Sequence, residues 1–378
     1  MNTKQIAPGY MVQLDGLRAI AVTMVVLFHW TPEVKQLALG GLGVQLFFVL
    51  SGYLITGILL EARTKAENIT ASKGQIVKSF YARRFLRIFP LYYLVIGLTF
   101  WLGSANIQLY LPWHLGYLTN IAIFMKSEWI GEASHLWSLA VEEQFYLLWP
   151  FVILFTPRRY LTATVIRFIL LAPLFKLVCG YFELGGSRIG VLPISSFHYL
   201  GSGALLAILE KSSKYKNDIR WQDLVASRVK FSGIAGLLVF AILRIFPQLL
   251  KVNPSIPVLQ EFAIISLFIS LTMGAAYGYK GIAGRLLSAK PMVYIGQISY
   301  GLYLIHNFVP YFTSEFFQRT GIAASETFGP NGMLLIHTLV LLLVSAFFWH
   351  FFESKLNKYK KYFPYVKAEV KQKELATA

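Results

Sequence analysis

The chain of 378 residues holds one cysteine, Cys179. A single thiol excludes an intramolecular disulfide, a cysteine-based zinc site and a dithiol relay. Cys179 sits in an apolar run, where cysteine serves as a small packing residue. Charge is scarce too: Asp, Glu, Lys and Arg make up 14% of the residues, against about 25% in a soluble globular domain. Acidic residues are the scarcer sign, 18 against 35 basic ones. No fixed-period repeat and no low-complexity tract is present, which removes solenoids and biased linkers from consideration. A cleaved leader is not expected either. The first apolar run is interrupted at its start by Asp15 and Arg18, lacks a small-residue exit, and leads into a second apolar run.

What the chain does hold is apolar surface: 56% hydrophobic and 16% aromatic residues, with 30 Phe and 21 Tyr. This balance is that of a polytopic membrane protein, an all-α bundle of transmembrane helices. Candidate spans are 14–31, 43–60, 84–103, 136–156, 161–182, 194–210, 231–249, 258–279, 293–313 and 333–353. An eleventh run, 113–125, has only 13 residues, a length that suits a re-entrant or interfacial segment. The net charge of +17 does not point to nucleic acid, because no basic fold motif accompanies it. Instead Lys and Arg gather in alternate connections, at 61–87, 156–160, 210–230, 280–290 and beyond 354. If all these face the cytoplasm, ten spans satisfy every loop and both termini are cytoplasmic. That parity holds only if 113–125 does not cross. The expected organisation is a membrane domain over 1–353 and a Lys-rich cytoplasmic tail over 354–378, in a cytoplasmic-type (inner) membrane and surrounded by membrane lipid.

Polar residues inside the spans fall into patterns. In LDGLRAIAVTMVVLFHW, residues 14–30, eleven steps of about 100° bring Arg18 and His29 onto one face, about 16 Å apart along the axis. Asp15, three residues before Arg18, joins that face. Either these side chains mark the two interfaces, or they line a polar interior path, where charge at depth usually faces. In FYARRFLRIFPLYYL, residues 80–94, Arg83, Arg84 and Arg87 form one cluster at the mouth of a span. Guanidinium forks suit phosphate oxygens, and positive-inside anchoring is the plainer alternative. In SHLWSLAVEEQFYLLWP, residues 134–150, His135, Ser138 and Glu142 share a face, with Glu143 about 100° round from it. Two adjacent carboxylates within a span point to chemistry more than to solvated surface. In GQISYGLYLIHNF, residues 296–308, Ser299, Tyr303 and His306 share a face that also suits packing between helices. Gly40, Gly41 and Gly43 before LFFVLSGYLIT read as a tight turn followed by close packing at Ser51 and Gly52. His198, His337 and His350 have no carboxylate at ligand spacing, and no metal is assigned.

Taken in order, LDGLRAIAVTMVVLFHW, FFVLSGYLIT, RRFLRIFP, WSLAVEEQFYLLWP and SYGLYLIH resemble the signature blocks of the acyltransferase-3 family of transmembrane O-acyltransferases. The resemblance runs from about residue 14 to 150 and returns near 296–306. It implies that Arg18 and His29 match the family's arginine and histidine, Arg84 and Arg87 its R-x-x-R block, and Ser138 and Glu142 its S-L-x-x-E block. It implies an acyl-CoA donor, commonly acetyl-CoA, bound from the cytoplasm. It implies as acceptor a hydroxyl of a cell-surface glycan or a lipid-linked sugar. Many relatives carry an extracytoplasmic hydrolase-like domain after the last span; a chain with a short Lys-rich tail resembles the stand-alone form. On this reading Arg83, Arg84 and Arg87 hold coenzyme A phosphates, and Arg18 polarises the thioester or steadies the donor. His29 acts as general base or transient acyl carrier. Glu142 orients and stabilises the imidazolium as the third group of a triad, and Ser138 belongs to the same catalytic set. Asp15, His135, Glu143, Tyr303 and His306 line the substrate path. Two rival readings remain at this level. One is a secondary transporter or flippase-like protein with a His/Glu/Arg relay, though the matching broken repeats of such proteins are missing. The other is a structural partner of a polysaccharide export complex.

Overall fold

Membrane-length apolar runs fold as helices because only a helix satisfies every backbone N–H and C=O within its own segment. The computed structural model describes residues 10–35, 39–69, 72–184, 186–251 and 255–366, and these contain helices and turns but no strand. The main helices are α1 (Val12–Trp30), α2 (Leu39–Asn68), α3 (Lys73–Trp101), α4 (Leu111–Leu115), α5 (Thr119–Lys126), α6 (Leu136–Phe155), α7 (Arg158–Tyr181), α8 (Phe197–Glu210), α9 (Ile219–Ile245), α10 (Ser255–Tyr277), α11 (Gly281–Leu287), α12 (Lys290–Gln297), α13 (Ser299–Ile305), α14 (Phe308–Thr320) and α15 (Ala324–Phe348). Two of the helices open on a side-chain cap: Ser72 accepts from Gly74 N–H at the start of α3 and Asp218 from Trp221 N–H at the start of α9, each satisfying an orphan donor.

Among the described residues eight helices are long and apolar enough to cross a membrane: α1, α2, α3, α6 with its preceding turn, α7, α9, α10, and α15 with its continuation to Tyr362. The sequence predicts ten spans, and two of those are not single long helices. The 14-residue α8 is about 21 Å long at 1.5 Å per residue, short of a hydrocarbon core of ~30 Å. A 3-10 turn opened by Pro193 precedes it. The predicted span 293–313 is divided among α12, α13 and α14. The carbonyls released at the second break are taken by side chains. His306 Nδ1 donates to Tyr303 O at 2.6 Å, His135 Nε2 to Leu304 O at 3.0 Å, and Trp30 Nε1 to His306 O at 3.2 Å. A membrane helix tolerates a break only where such partners exist.

Segment 113–125 is likewise two short helices, α4 and α5, neither long enough to cross. Tyr117 joins them in a left-handed conformation, φ 53°. Here too distant side chains take the carbonyls: Tyr92 donates to His114 O at 2.9 Å, Tyr93 to Leu115 O at 2.8 Å, and Gln144 to Tyr117 O at 2.8 Å.

The basic connections meet at one end of the bundle. Arg63 on α2 donates to Ile153 O (2.6 Å) and Thr156 O (2.8 Å) at the end of α6. Arg158 pairs with Glu67 at 2.7 Å, Lys211 lies 3.9 Å from Glu61, and Arg83 reaches Lys360 O at 2.9 Å. This basic end also holds Arg18, while His29 lies at the opposite end of α1.

The helices that carry these residues are locked by backbone contact. A Cβ on Gly52 of α2 would strike Leu200 O of α8, and one on Gly203 of α8 would strike Val49 O of α2. Only glycine permits that approach. Trp149, fully buried on α6, ties the same region together by donating to Thr56 Oγ1 at 2.7 Å.

The boundary expected at 353/354 falls inside a continuous helical run. After α15 a π-helical turn, Trp349–Glu353, passes into further helix up to Tyr362. Part of the expected tail is therefore packed structure: Ser79 donates to Pro364 O at 2.7 Å. Lys367, Lys371 and Lys373, and both chain ends with their expected cytoplasmic placement, lie outside the described residues.

Candidate active site

At the basic end a cavity of about 620 Å³ opens between α1, α3 and the C-terminal segment. Arg18, Arg83, Arg84, Arg87 and Lys360 line it, with Asp15 as the lone carboxylate. Asp15 lies 3.8 Å from Arg18 and accepts a hydrogen bond from Tyr10. The three α3 arginines, equivalent in the sequence, differ in the fold. Arg83 Nη1 donates to Lys360 O (2.9 Å) and Phe363 O (3.3 Å), and its guanidinium lies 5.0 Å from the Tyr365 ring. Burial pushes the Tyr365 phenol up, against the lowering pull of Arg84 and Arg83. Arg84 lies 4.5 Å from the Tyr146 ring and Arg87 5.5 Å from the Trp349 ring. No ion pair among the described residues includes Arg84 or Arg87. Two partly buried guanidiniums with no carboxylate in ion-pair contact, Glu143 and Glu353 being their longer-range acidic neighbours, suit an anion by charge and by geometry.

Arg18 also lines a second, narrower cavity of about 60 Å³, walled by Ser51, Ser138, Glu142, Ser299 and Tyr303. It has room for a few water molecules. The Glu142 carboxylate accepts from Ser51 Oγ and from Tyr146 OH. Because the Tyr146 ring also carries Arg84, one tyrosine connects the two cavities. The Ser138 and Tyr303 hydroxyls are hydrogen-bonded to each other, and Tyr303 OH donates to His135 O at 3.2 Å.

Beyond Tyr303 three imidazoles follow one another. The His29 and His306 rings are 4.9 Å apart and those of His306 and His135 4.7 Å apart, centre to centre. His306 and His135 are buried, and His29 is exposed. The hydrogen bonds fix the tautomers. His306 Nδ1 must carry its hydrogen to reach Tyr303 O, so its Nε2 is an acceptor. His29 Nδ1 faces two acceptors, Val25 O at 2.9 Å and His306 Nε2 at 3.3 Å. Hydrogen therefore resides on His29 Nδ1, and Nε2 carries the lone pair of a base.

The structure thus brings together most residues singled out in the sequence, with changed neighbours. The imidazole placed against His29 is His306, whereas Glu142 is engaged by Ser51 and Tyr146. His135 donates through Nε2 to Leu304 O at 3.0 Å, its Nδ1 lies 3.3 Å from the Asn307 amide nitrogen that can donate to it, and it works as a brace for the broken helix. His306 lies just past the end of α13 instead of on an unbroken face with Ser299 and Tyr303. Glu143 faces a separate cavity of about 340 Å³ with Arg84, Tyr93 and Tyr117. Sequence reasoning missed Ser51, read as packing, and Tyr146, whose spacing of four from Glu142 was the available signal. Among the described residues no group of three or more His, Cys, Asp and Glu side chains is arranged to hold a metal ion.

Residues 11–350 match the model of a family described as "Acyltransferase domain". The chain is 28% identical over 372 residues to the O-acetyltransferase OatA of Staphylococcus aureus (strain NCTC 8325 / PS 47), covering 94% of this chain and 58% of that protein. It is 31% identical over 343 residues to the provisionally named O-acetyltransferase SAS0844 of Staphylococcus aureus (strain MSSA476), covering 83% of this chain and 53% of the relative. The chain spans little more than half the length of these curated relatives. No solved structure matches.

Proposed function

This multi-pass helical membrane protein belongs to the acyltransferase domain family, and from that premise we propose that it moves an acyl group, acetyl in the first instance, from acyl-CoA to a hydroxyl of a cell-surface or lipid-linked carbohydrate. The observation that carries this reading is the order of its polar groups: phosphate-suited arginines, a shared Arg18, a narrow cavity, then an imidazole with a basic Nε2.

Arg84 and Arg87 hold the donor's phosphates at the basic end by charge-assisted hydrogen bonds. The thioester arm passes Arg18 into the narrow cavity, whose small volume suits a short acyl group. There Arg18 supplies a fixed positive charge toward the thioester oxygen, and the Ser138 and Tyr303 hydroxyls, bonded to each other and to His135 O, would have to exchange a partner to donate to it. Glu142, held by Ser51 and Tyr146, keeps Tyr146 beneath Arg84. His29 Nε2 takes the proton from the acceptor hydroxyl, the oxygen attacks the acyl carbon, and the carbon–sulfur bond breaks. The leaving thiolate finally takes that proton from His29 and departs as free CoA. The resulting imidazolium is stabilised through Nδ1–H by Val25 O and His306 Nε2. Asp15 steadies Arg18, while His135 and His306 shape the acceptor side. With positive loops inward, the basic end faces the cytoplasm and the protein resides in the inner membrane.

Purified full-length protein given labelled acetyl-CoA and an acceptor glycan is expected to release free CoA in step with acylated product. His29→Ala is expected to abolish both while the protein elutes as a folded species; retained transfer would remove His29 from catalysis.

A further inference from the structure

The segment KLNKYKKYFPY, residues 355–365, reads as loop charge, but its lysines are not equivalent in the fold. Lys355, Lys358 and Lys361 are exposed, whereas Lys360 is partly buried and lines the basic cavity with Arg18, Arg84 and Arg87. No ion pair among the described residues includes Lys360. The cavity's single carboxylate, Asp15, already accompanies Arg18. Glu353, buried beside the cavity, acts on both Arg87 and Lys360. With Asp15 it still sets only two carboxylates against the five cations Arg18, Arg83, Arg84, Arg87 and Lys360, an excess of like charge that a polyanion would offset.

Lys360 is also held in place. Arg83 grips the carbonyls of Lys360 and Phe363 and stacks on Tyr365. Ser79 and Gln75 hold Pro364 O at 2.7 and 3.4 Å. An arginine that the sequence groups with the phosphate binders has its Nη1 donor committed to the backbone of the segment that brings a lysine to the cavity.

We propose that Lys360 is a further binding residue for the donor's phosphate groups and that Arg83 is its positioning residue, fastening the C-terminal segment beside the arginine pair; this rests on the acyl-CoA reading above. The ammonium is a compact charge with three rotatable donors, able to follow a phosphate that the planar arginine forks cannot reach.

The test is binding of acetyl-CoA and of acetyl-pantetheine, which lacks the nucleotide phosphates, to the full chain in phosphatidylcholine nanodiscs. Lys360→Met is expected to raise Kd for acetyl-CoA about ten-fold, the effect of losing one charge-assisted bond, and to leave acetyl-pantetheine binding unchanged. Lys360→Arg should recover most of the affinity. Arg83→Met should weaken acetyl-CoA similarly and speed hydrogen exchange across residues 354–366, which Lys360→Met leaves unchanged. Wild-type affinity in Lys360→Met, or equal loss for both ligands, overturns the proposal. So does a variant that alters only competition by added phosphatidylglycerol, which would make Lys360 a lipid-headgroup contact. If the wild-type chain binds acetyl-pantetheine but gains nothing from the nucleotide phosphates, or binds neither, the donor reading itself fails and Lys360 falls with it.

Discussion

At the scale of single residues, the decisive feature is that His29 Nδ1 is turned toward two acceptors, Val25 O and His306 Nε2. Removing one of them should leave the base present but poorly poised. His306→Ala is expected to lower kcat about 100-fold, the lower end of what a positioned acid–base group contributes, with KM for the donor unchanged; steady-state kinetics with both substrates varied checks this. Arg84→Ala with Arg87→Ala should act on the other parameter. Two charged hydrogen bonds at about 1.5–3 kcal/mol each imply a Kd raised by at least 100-fold, read directly by donor binding. His29, Arg18, Glu142 and the arginine cluster were legible because an ionisable group inside an apolar run is costly and stands out. Ser51 was not, since a serine among small residues looks the same whether it packs or donates to a carboxylate. The partnership of His306 with His29 was not legible either, because it joins residues 277 positions apart.

At the scale of helices, hydropathy reported the long spans well and the interruptions poorly. A break depends on who satisfies the released carbonyls, and apart from the local His306 those partners come from elsewhere: Trp30 and His135 at one break, Tyr92, Tyr93 and Gln144 at the other. Nothing local in SYGLYLIHNF or LPWHLGYLTN declares that the distant donors will arrive. Close packing at Gly52 was readable from its small neighbours, though its partner Gly203 was not. Gly203→Val should force α2 and α8 apart, since the new side chain meets Val49 O and Tyr53 N–H. Overpacking of this kind costs about 1–3 kcal/mol. The expected outcome is a lower midpoint of thermal aggregation in detergent, with Gly57→Ala, at a position where a Cβ meets nothing, as the unaffected control.

At the scale of the whole molecule, the polar groups form one line through an apolar bundle. It starts at the basic cavity, narrows at Arg18, passes Glu142, Ser138 and Tyr303, and ends at His306 and His29. Such an arrangement predicts that donor and acceptor approach from opposite faces. The direct measurement uses proteoliposomes in which the protein faces one way, with labelled acetyl-CoA supplied to one side and the acceptor glycan to the other. Acetyl is predicted to reach the acceptor when the donor meets the arginine face and the acceptor the His29 face, and not in the reverse arrangement. Transfer that requires both substrates on the same face would contradict it.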